Sequence, residues 1–336
     1  MKKIIRIITL VLAVSILISC GGNTKQNNKS DKENTLSGEL IIFHAGSLSV
    51  PIKEIIKEFN KEYPDVMVLS EAAGSVECAR KISEIKKPCD VFASSDVKVI
   101  DKNLIPDYAE WSIKFASNEM VIAYNEKSRK NTEITKDNWY EILQNEDVAF
   151  GRADPNADPC GYRSVLCLKL ADKYYGKKCN AEKCDAEKLL KKDVQHIRPK
   201  EVDLLALLES NTIDYIFIYK SVADQHKLKY VVLPDEVNLK NPEMDSLYSS
   251  VSLEVKGKKP GETKVQKGET MIYGITIPKN APNMKAALAF VEFFLSKTKG
   301  MKIMEANGQP SVIPSYSPLY DKIPDSLKQF ATKDKK

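Results

Sequence analysis

The chain has 336 residues, of which 43% are hydrophobic and 29% charged, with a formal net charge of +5. That length can hold two domains of ordinary size with a real core in each, and the composition excludes a chain disordered over most of its length. Lysines interspersed with acids along the helices read as solvated surface, so nothing in the charge argues for a nucleic-acid partner.

Lys2, Lys3 and Arg6 precede an apolar segment from Ile7 to Ile18, followed by Ser19 and Cys20. This is a secretory signal over residues 1–19, too short to span a membrane in the mature protein. Leu17-Ile18-Ser19-Cys20 resembles the lipobox of bacterial lipoproteins, whose cysteine becomes the lipidated first residue. Cys20 and a flexible polar tether to residue 37 would anchor the protein to the outer face of the cell membrane without crossing it. Loss of the three basic leader residues lowers the formal charge from +5 to +2. Besides Cys20 there are Cys78, Cys89, Cys160, Cys167, Cys179 and Cys184. Disulfides are allowed outside the cytoplasm, with Cys179 and Cys184 the expected pair, but free thiols in an anaerobic source fit as well.

Leu40–Phe43 is a short apolar run of the kind buried on both faces of a sheet. His44-Ala45-Gly46-Ser47 then turns the chain, and a helix begins near Ser49 with Ile52, Ile55, Ile56 and Phe59 on one face. Strand, Gly-Ser turn and helix start together form an anion-binding unit, because first-turn N–H groups have no acceptor within the helix. A simpler reading makes Ser47 or Ser49 only a helix cap. The same arrangement follows at Val66–Leu69, Gly74-Ser75 and a helix from Val76 to Lys86, then at the strand Asp90–Ala93 with a helix over Asp96–Lys102. Short alternating strands and helices predict parallel α/β sheets, with both Gly-Ser turns at the carboxyl ends of the strands, where ligands bind.

Further elements are a strand over Ser117–Asn125, a helix through Trp139 and Leu143, and a strand Val148–Phe150. The loop Gly151–Gly161 ends in Asp158-Pro159, which reads as a cap and first-turn proline. A helix from Glu201, buried strands at Asp214–Tyr219 and Tyr230–Leu233, a polar hairpin over 254–270, a strand Met271–Ile277 and a helix through Phe294 complete the set. From Gly308 onward the chain is expected to wrap the surface.

LIIFHAGSLSVP, EAAGSVECARKI, DVFASSD, DPNADPCGYRS, RPKEVDLL and DYIFIYKSVA occur in that order. As a set they closely resemble the molybdate/tungstate-binding proteins of ABC importers over residues 38–310. The resemblance implies a periplasmic-binding-protein fold of type II, two α/β domains with the ligand cleft between them. It implies domain I over 38–118 plus 278–328 and domain II over 119–277, no enzymatic activity, no cofactor, a monomer, and an ABC permease as partner. Carried over by position, the oxyanion would be held by Gly46, Ser47 and Ser75 from domain I. Domain II would supply Asp158, Pro159, Cys160, Glu201 and Tyr219.

Two acids beside a dianion require a reason, since unit charges at about 4 Å repel by roughly 4 kcal/mol at an effective dielectric of 20. Molybdenum(VI) and tungsten(VI) provide one: each can accept two further oxygen ligands, and carboxylates suit such a hard centre. Asp158 and Glu201 are therefore expected to reach the metal while hydroxyls and backbone N–H groups hold the oxo groups. Arg152 and Arg163 flank the Asp158 loop and are expected to hold it. Two alternatives remain open at this stage: another oxyanion such as sulfate or phosphate, and a serine hydrolase built on Ser47, His44 and Asp90. The second lacks the G-x-S-x-G elbow.

Overall fold

The computed structural model describes residues 36–179, 184–257 and 261–334. The leader, Cys20 and most of the tether lie outside the described residues, as does the side chain of Cys179. No helix among the described residues is long and apolar enough to cross a membrane.

The first sheet contains β1 (Gly38–Ala45), β2 (Val66–Ala73), β3 (Val91–Ser94) and β4 (Ile113–Ser117). The second contains β5 (Met120–Tyr124), β6 (Phe150–Ala153), β7 (Ile197–Arg198), β8 (Tyr215–Tyr219) and β9 (Lys229–Val232). A hairpin, β10 (Ser252–Lys256) with β11 (Thr263–Lys267), precedes β12 (Ile272–Thr276), which returns to the first sheet. The strand orders are β2-β1-β3-β12-β4 and β7-β6-β8-β5-β9. β12, placed above in domain II, thus hydrogen-bonds between β3 and β4 of the first sheet.

The expectation of parallel sheets is met only in part. β1 runs parallel to β2 and β3, and β6 parallel to β7 and β8. β5 and β12, which lie next to the points where the chain passes between the sheets, run against their neighbours. The single strand expected over Ser117–Asn125 is really β4 and β5, broken at Asn118 and Glu119. Two polar residues interrupt the apolar run there, and the chain changes sheets.

The helices are α1 (Ser49–Glu62), α2 (Ser75–Ser83), α3 (Val97–Asn103), α4 (Trp139–Gln144), α5 (Pro159–Cys179) and α6 (Ala186–Lys191). They continue with α7 (Leu204–Glu209), α8 (Lys220–Gln225), α9 (Asp245–Tyr248), α10 (Met284–Leu295) and α11 (Gly300–Ala306). The apolar face of α1 (Ile52, Ile55, Phe59) packs in a core with α10, where Phe59 meets Phe290 edge-on at 5.2 Å. In the second half, β8 is buried along its whole length, as expected of a central strand covered on both faces. β6 begins and ends later than expected because Gly151 to Ala153 belong to the strand rather than the loop. A Cβ at Gly151 would lie 2.8 Å from the side chains of Leu204 and Ile213, so α7 can approach the sheet only over glycine.

Cys78, Cys89, Cys160, Cys167 and Cys184 are free and buried. Cys184 carries a free thiol, and the pairing expected with Cys179 falls on a side chain outside the described residues. Burial pushes the Cys184 thiol up to about 12, which leaves it inert at neutral pH.

Candidate functional site

Register brings the first two turns together. Ala45 lies beside Ala73 in the β1–β2 ladder, so Gly46-Ser47 and Gly74-Ser75 leave the same edge of the first sheet. After β1 the chain makes one tight turn over Gly46–Leu48 before α1 starts. Neither serine caps α1 through its side chain. The Ser49 hydroxyl donates back to the Gly46 carbonyl at 2.6 Å, and the Ser47 hydroxyl accepts from the Tyr273 hydroxyl at 3.1 Å. Ser47 is buried, and Gln309 Nε2 donates to its carbonyl at 2.9 Å. Gln309 thus enters the interior, although the segment from Gly308 was expected on the surface.

The second turn is closed by the other half of the molecule. The Ala157 carbonyl accepts the first-turn N–H groups of Val76 and Glu77, each at 3.2 Å. A Cβ at Gly74 would stand 2.3 Å from that oxygen, so glycine is required for the approach. Ser75 Oγ accepts from the Ser95 N–H at 3.1 Å and lies 3.2 Å from Ser95 Oγ.

From the second sheet come the acids. Asp158 caps α5, its Oδ1 accepting the Cys160 N–H at 2.7 Å, while Oδ2 accepts the Glu201 N–H at 3.2 Å. Glu201 is buried, and neither of its carboxylate oxygens has a hydrogen-bond partner of normal geometry among the described residues. Both oxygens lie against the first turn: a Cβ at Gly46 would be 3.0 Å from Oε2 and 3.2 Å from Oε1. Burial, then the Asp158 carboxyl, push Glu201 well above the usual carboxylate range, and burial raises Asp158 as well.

Tyr219 ends β8 with its hydroxyl accepting from Arg163 Nη1 at 2.9 Å and 3.5 Å from Ser95 Oγ. Burial keeps the phenol protonated. Arg163, on α5, crosses to the first half, where Nη1 donates to the Ser95 carbonyl at 2.8 Å and Nη2 lies 3.6 Å from Asp96. Tyr162 also donates to Asp96. Burial works against the Arg163 charge, but Tyr219, Asp96 and Tyr162 hold its pKa above the ordinary value.

The structure therefore gathers Gly46, Ser47, Asp158 and Glu201 at one point; Ser75 and Tyr219 are linked to each other through Ser95, and the Tyr219 ring lies 6.2 Å from that of Tyr273, the residue that bonds Ser47. Pro159 and Cys160 have lesser parts. Proline has no N–H to give, the Cys160 N–H is taken by Asp158, and the thiol faces the Phe217 carbonyl. Arg163 bolts the two halves together rather than holding its own loop, and Arg152 turns away to the Leu190 carbonyl. Ser95, Tyr273, Gln309 and Asn118 were missed. Ser95 had a signal, since DVFASSD ends a strand at the same sheet edge as the two Gly-Ser turns. The hydrolase constellation does not form: His44 bonds the Ala45 carbonyl at 2.8 Å, while Asp90 accepts the N–H groups of Ile41 and Asn283.

Residues 40–309 match the family model described as bacterial extracellular solute-binding protein. The chain belongs to this family. A solute-binding protein of Petrotoga mobilis is 50% identical over 300 residues, covering 88% of this chain and 90% of its own. The molybdate/tungstate-binding protein WtpA of Pyrococcus abyssi is 42% identical over 341 residues, covering 94% of each chain. Among solved structures, the periplasmic molybdate-binding protein of Azotobacter vinelandii superposes with a TM-score of 0.56 at 15% identity, over 80% of this chain and 98% of that one. The fold of this solute-binding protein is thus the two-domain type II fold of periplasmic binding proteins, with the site just described lying between its sheets.

Proposed function

We propose that this solute-binding protein captures molybdate or tungstate in the cleft between its domains and hands it to an ABC permease. The observation that carries the reading is the pair of Glu201 oxygens, buried against the Gly46-Ser47 turn with no hydrogen-bond partner of normal geometry among the described residues. An uncompensated buried carboxylate costs several kcal/mol, so such a group needs a proton or an electron-poor centre in its place of use. A group-six metalate brings that centre together with oxo groups that need donors. Ser47, Ser75 and Tyr219 supply hydroxyls to the oxo groups, and Asp158 and Glu201 supply oxygens to the metal. Sulfate offers its central atom no such valence, and against it the two acids only repel. The naming of the Pyrococcus abyssi relative supports the same ligand.

The leader and Cys20 further support an extracytoplasmic protein tethered to the membrane by lipid. Domain I runs from residue 38 to the crossing at Asn118 and resumes at β12, and domain II lies between. Calorimetric titration of tungstate, molybdate and sulfate into one preparation tests the reading. Tight binding of the metalates with sulfate far weaker is the expected result, and equal binding of all three would overturn it.

A further inference from the structure

Ser47 does not stand alone in the cleft; a chain of hydrogen bonds leads back from it to the segment joining the two domains. Asn118 occupies that segment, between β4 and β5. Its Oδ1 accepts two backbone N–H groups, those of Glu119 at 2.9 Å and Ser221 at 3.4 Å. Only a carbonyl oxygen can accept them, so the orientation of the amide is settled by its neighbours. Nδ2 must then face the Ser221 hydroxyl at 2.7 Å and the Tyr273 hydroxyl at 2.9 Å. An amide nitrogen only donates. Tyr273 therefore accepts from Asn118 and has its own proton to give, and Ser47 Oγ lies 3.1 Å away to take it. Burial pushes the Tyr273 phenol up to about 12, so that proton is present at every physiological pH.

We infer that Asn118 and Tyr273 are positioning residues that fix the Ser47 hydroxyl as a hydrogen-bond donor toward the bound anion. This rests on the oxyanion reading of the cleft and deepens it. Ser47, already accepting from Tyr273, has its proton left for an oxo group. Tyr219 differs: its oxygen accepts from Arg163, which can only donate, and its own proton turns to Ser95 Oγ at 3.5 Å. The relay also makes the inter-domain segment sense the cleft: Asn118 bonds Ser221 of the second half and Tyr273 of the first at once.

The test is calorimetry of molybdate and sulfate on the full mature chain, comparing wild type, Tyr273→Phe, Asn118→Ala, Ser47→Ala and the double variant Tyr273→Phe/Ser47→Ala. Removing the Tyr273 hydroxyl releases Ser47 to rotate, and molybdate affinity should fall about tenfold, the equivalent of one ordinary hydrogen bond. Asn118→Ala should lower it by less, since Tyr273 is then free to turn its proton either way. In the Ser47→Ala background Tyr273→Phe should cost nothing further, because the group it positions is gone. A purely structural role would cost the same in both backgrounds, and that result overturns the inference. A Tyr273→Phe protein that melts early but still shows this coupling supports it. Wild type that binds sulfate as tightly as molybdate would defeat the metalate reading alone, while wild type that binds no oxyanion defeats both.

Discussion

The two halves of the cleft are chemically opposite. The first sheet presents neutral hydroxyls at its carboxyl edge, those of Ser47, Ser75 and Ser95, with Tyr273 behind them. The second presents two acids, Asp158 and Glu201, one phenol, Tyr219, and one guanidinium, Arg163. Donors alone would hold any tetrahedral anion weakly, and acids alone would repel it. On the proposed reading, selectivity arises only when closure brings the acids over the donors, with an anion between them whose central atom can accept carboxylate oxygens. Arg163 carries its charge across to Ser95 and Asp96 and so ties that chemistry to the closed state.

The comparison can be broken most severely from the acid side. Replacing Asp158 and Glu201 together by alanine should weaken tungstate by about a thousandfold or more, since each truncation removes a buried charged ligand. Sulfate binding should be unchanged or improved, and calorimetry reads both. Next comes the bolt between the halves. Arg163→Met takes the guanidinium from Asp96, which keeps Tyr162 and the Lys98 N–H, a loss of roughly 3 kcal/mol that falls on the closed form. Metalate affinity should drop about a hundredfold, and small-angle scattering with ligand should show a larger radius than wild type. Adding Asp96→Asn should recover part of the affinity, because the charge that lost its guanidinium is gone.

Within the donor half, His44 sharpens the contrast by stability rather than binding. Burial first, then Lys200, lower its pKa from 6.5 to about 4. Between those values the unfolded chain binds the extra proton and the folded one does not. The stability contributed by a neutral His44 is therefore complete above pH 6.5 and is lost as pH falls toward 4. The loss is on the order of 3 kcal/mol. Denaturant melts of wild type and His44→Gln should diverge at pH 7 and converge near pH 4. The smallest effect is expected at the rim. Arg80 on α2 donates to the Asn156 and Gly257 carbonyls of the second half, both at 3.4 Å. Long, half-exposed bonds of this kind are each worth about 1 kcal/mol or less. Arg80→Ala should raise the metalate release rate severalfold in stopped flow and leave sulfate discrimination intact.

Much of this was legible in the sequence because it is local. Strand, Gly-Ser turn and helix start are contiguous, so the donor edge at Ser47 and Ser75 follows from composition and spacing. The Asp158-Pro159 cap is local too. What the sequence does not carry is pairing across long separations. Nothing near Arg163 announces that it reaches Ser95, or that Tyr273 lies behind Ser47 from 226 positions away. Resemblance placed Glu201 in the cleft. Only the folded register shows its oxygens beside Gly46, where a Cβ would stand 3.0 Å from Oε2. The misplaced strand β12 has the same origin: an apolar run reveals that it is buried, not which sheet it completes.

X-ray absorption at the metal edge of the tungstate-loaded protein tests the central claim most directly. If Asp158 and Glu201 reach the metal, the spectrum must show coordination of about six oxygens, in a short oxo shell and a longer carboxylate shell. A single tetrahedral oxo shell, as in free tungstate, would mean that the acids do not bind the metal and that the account of the cleft is wrong.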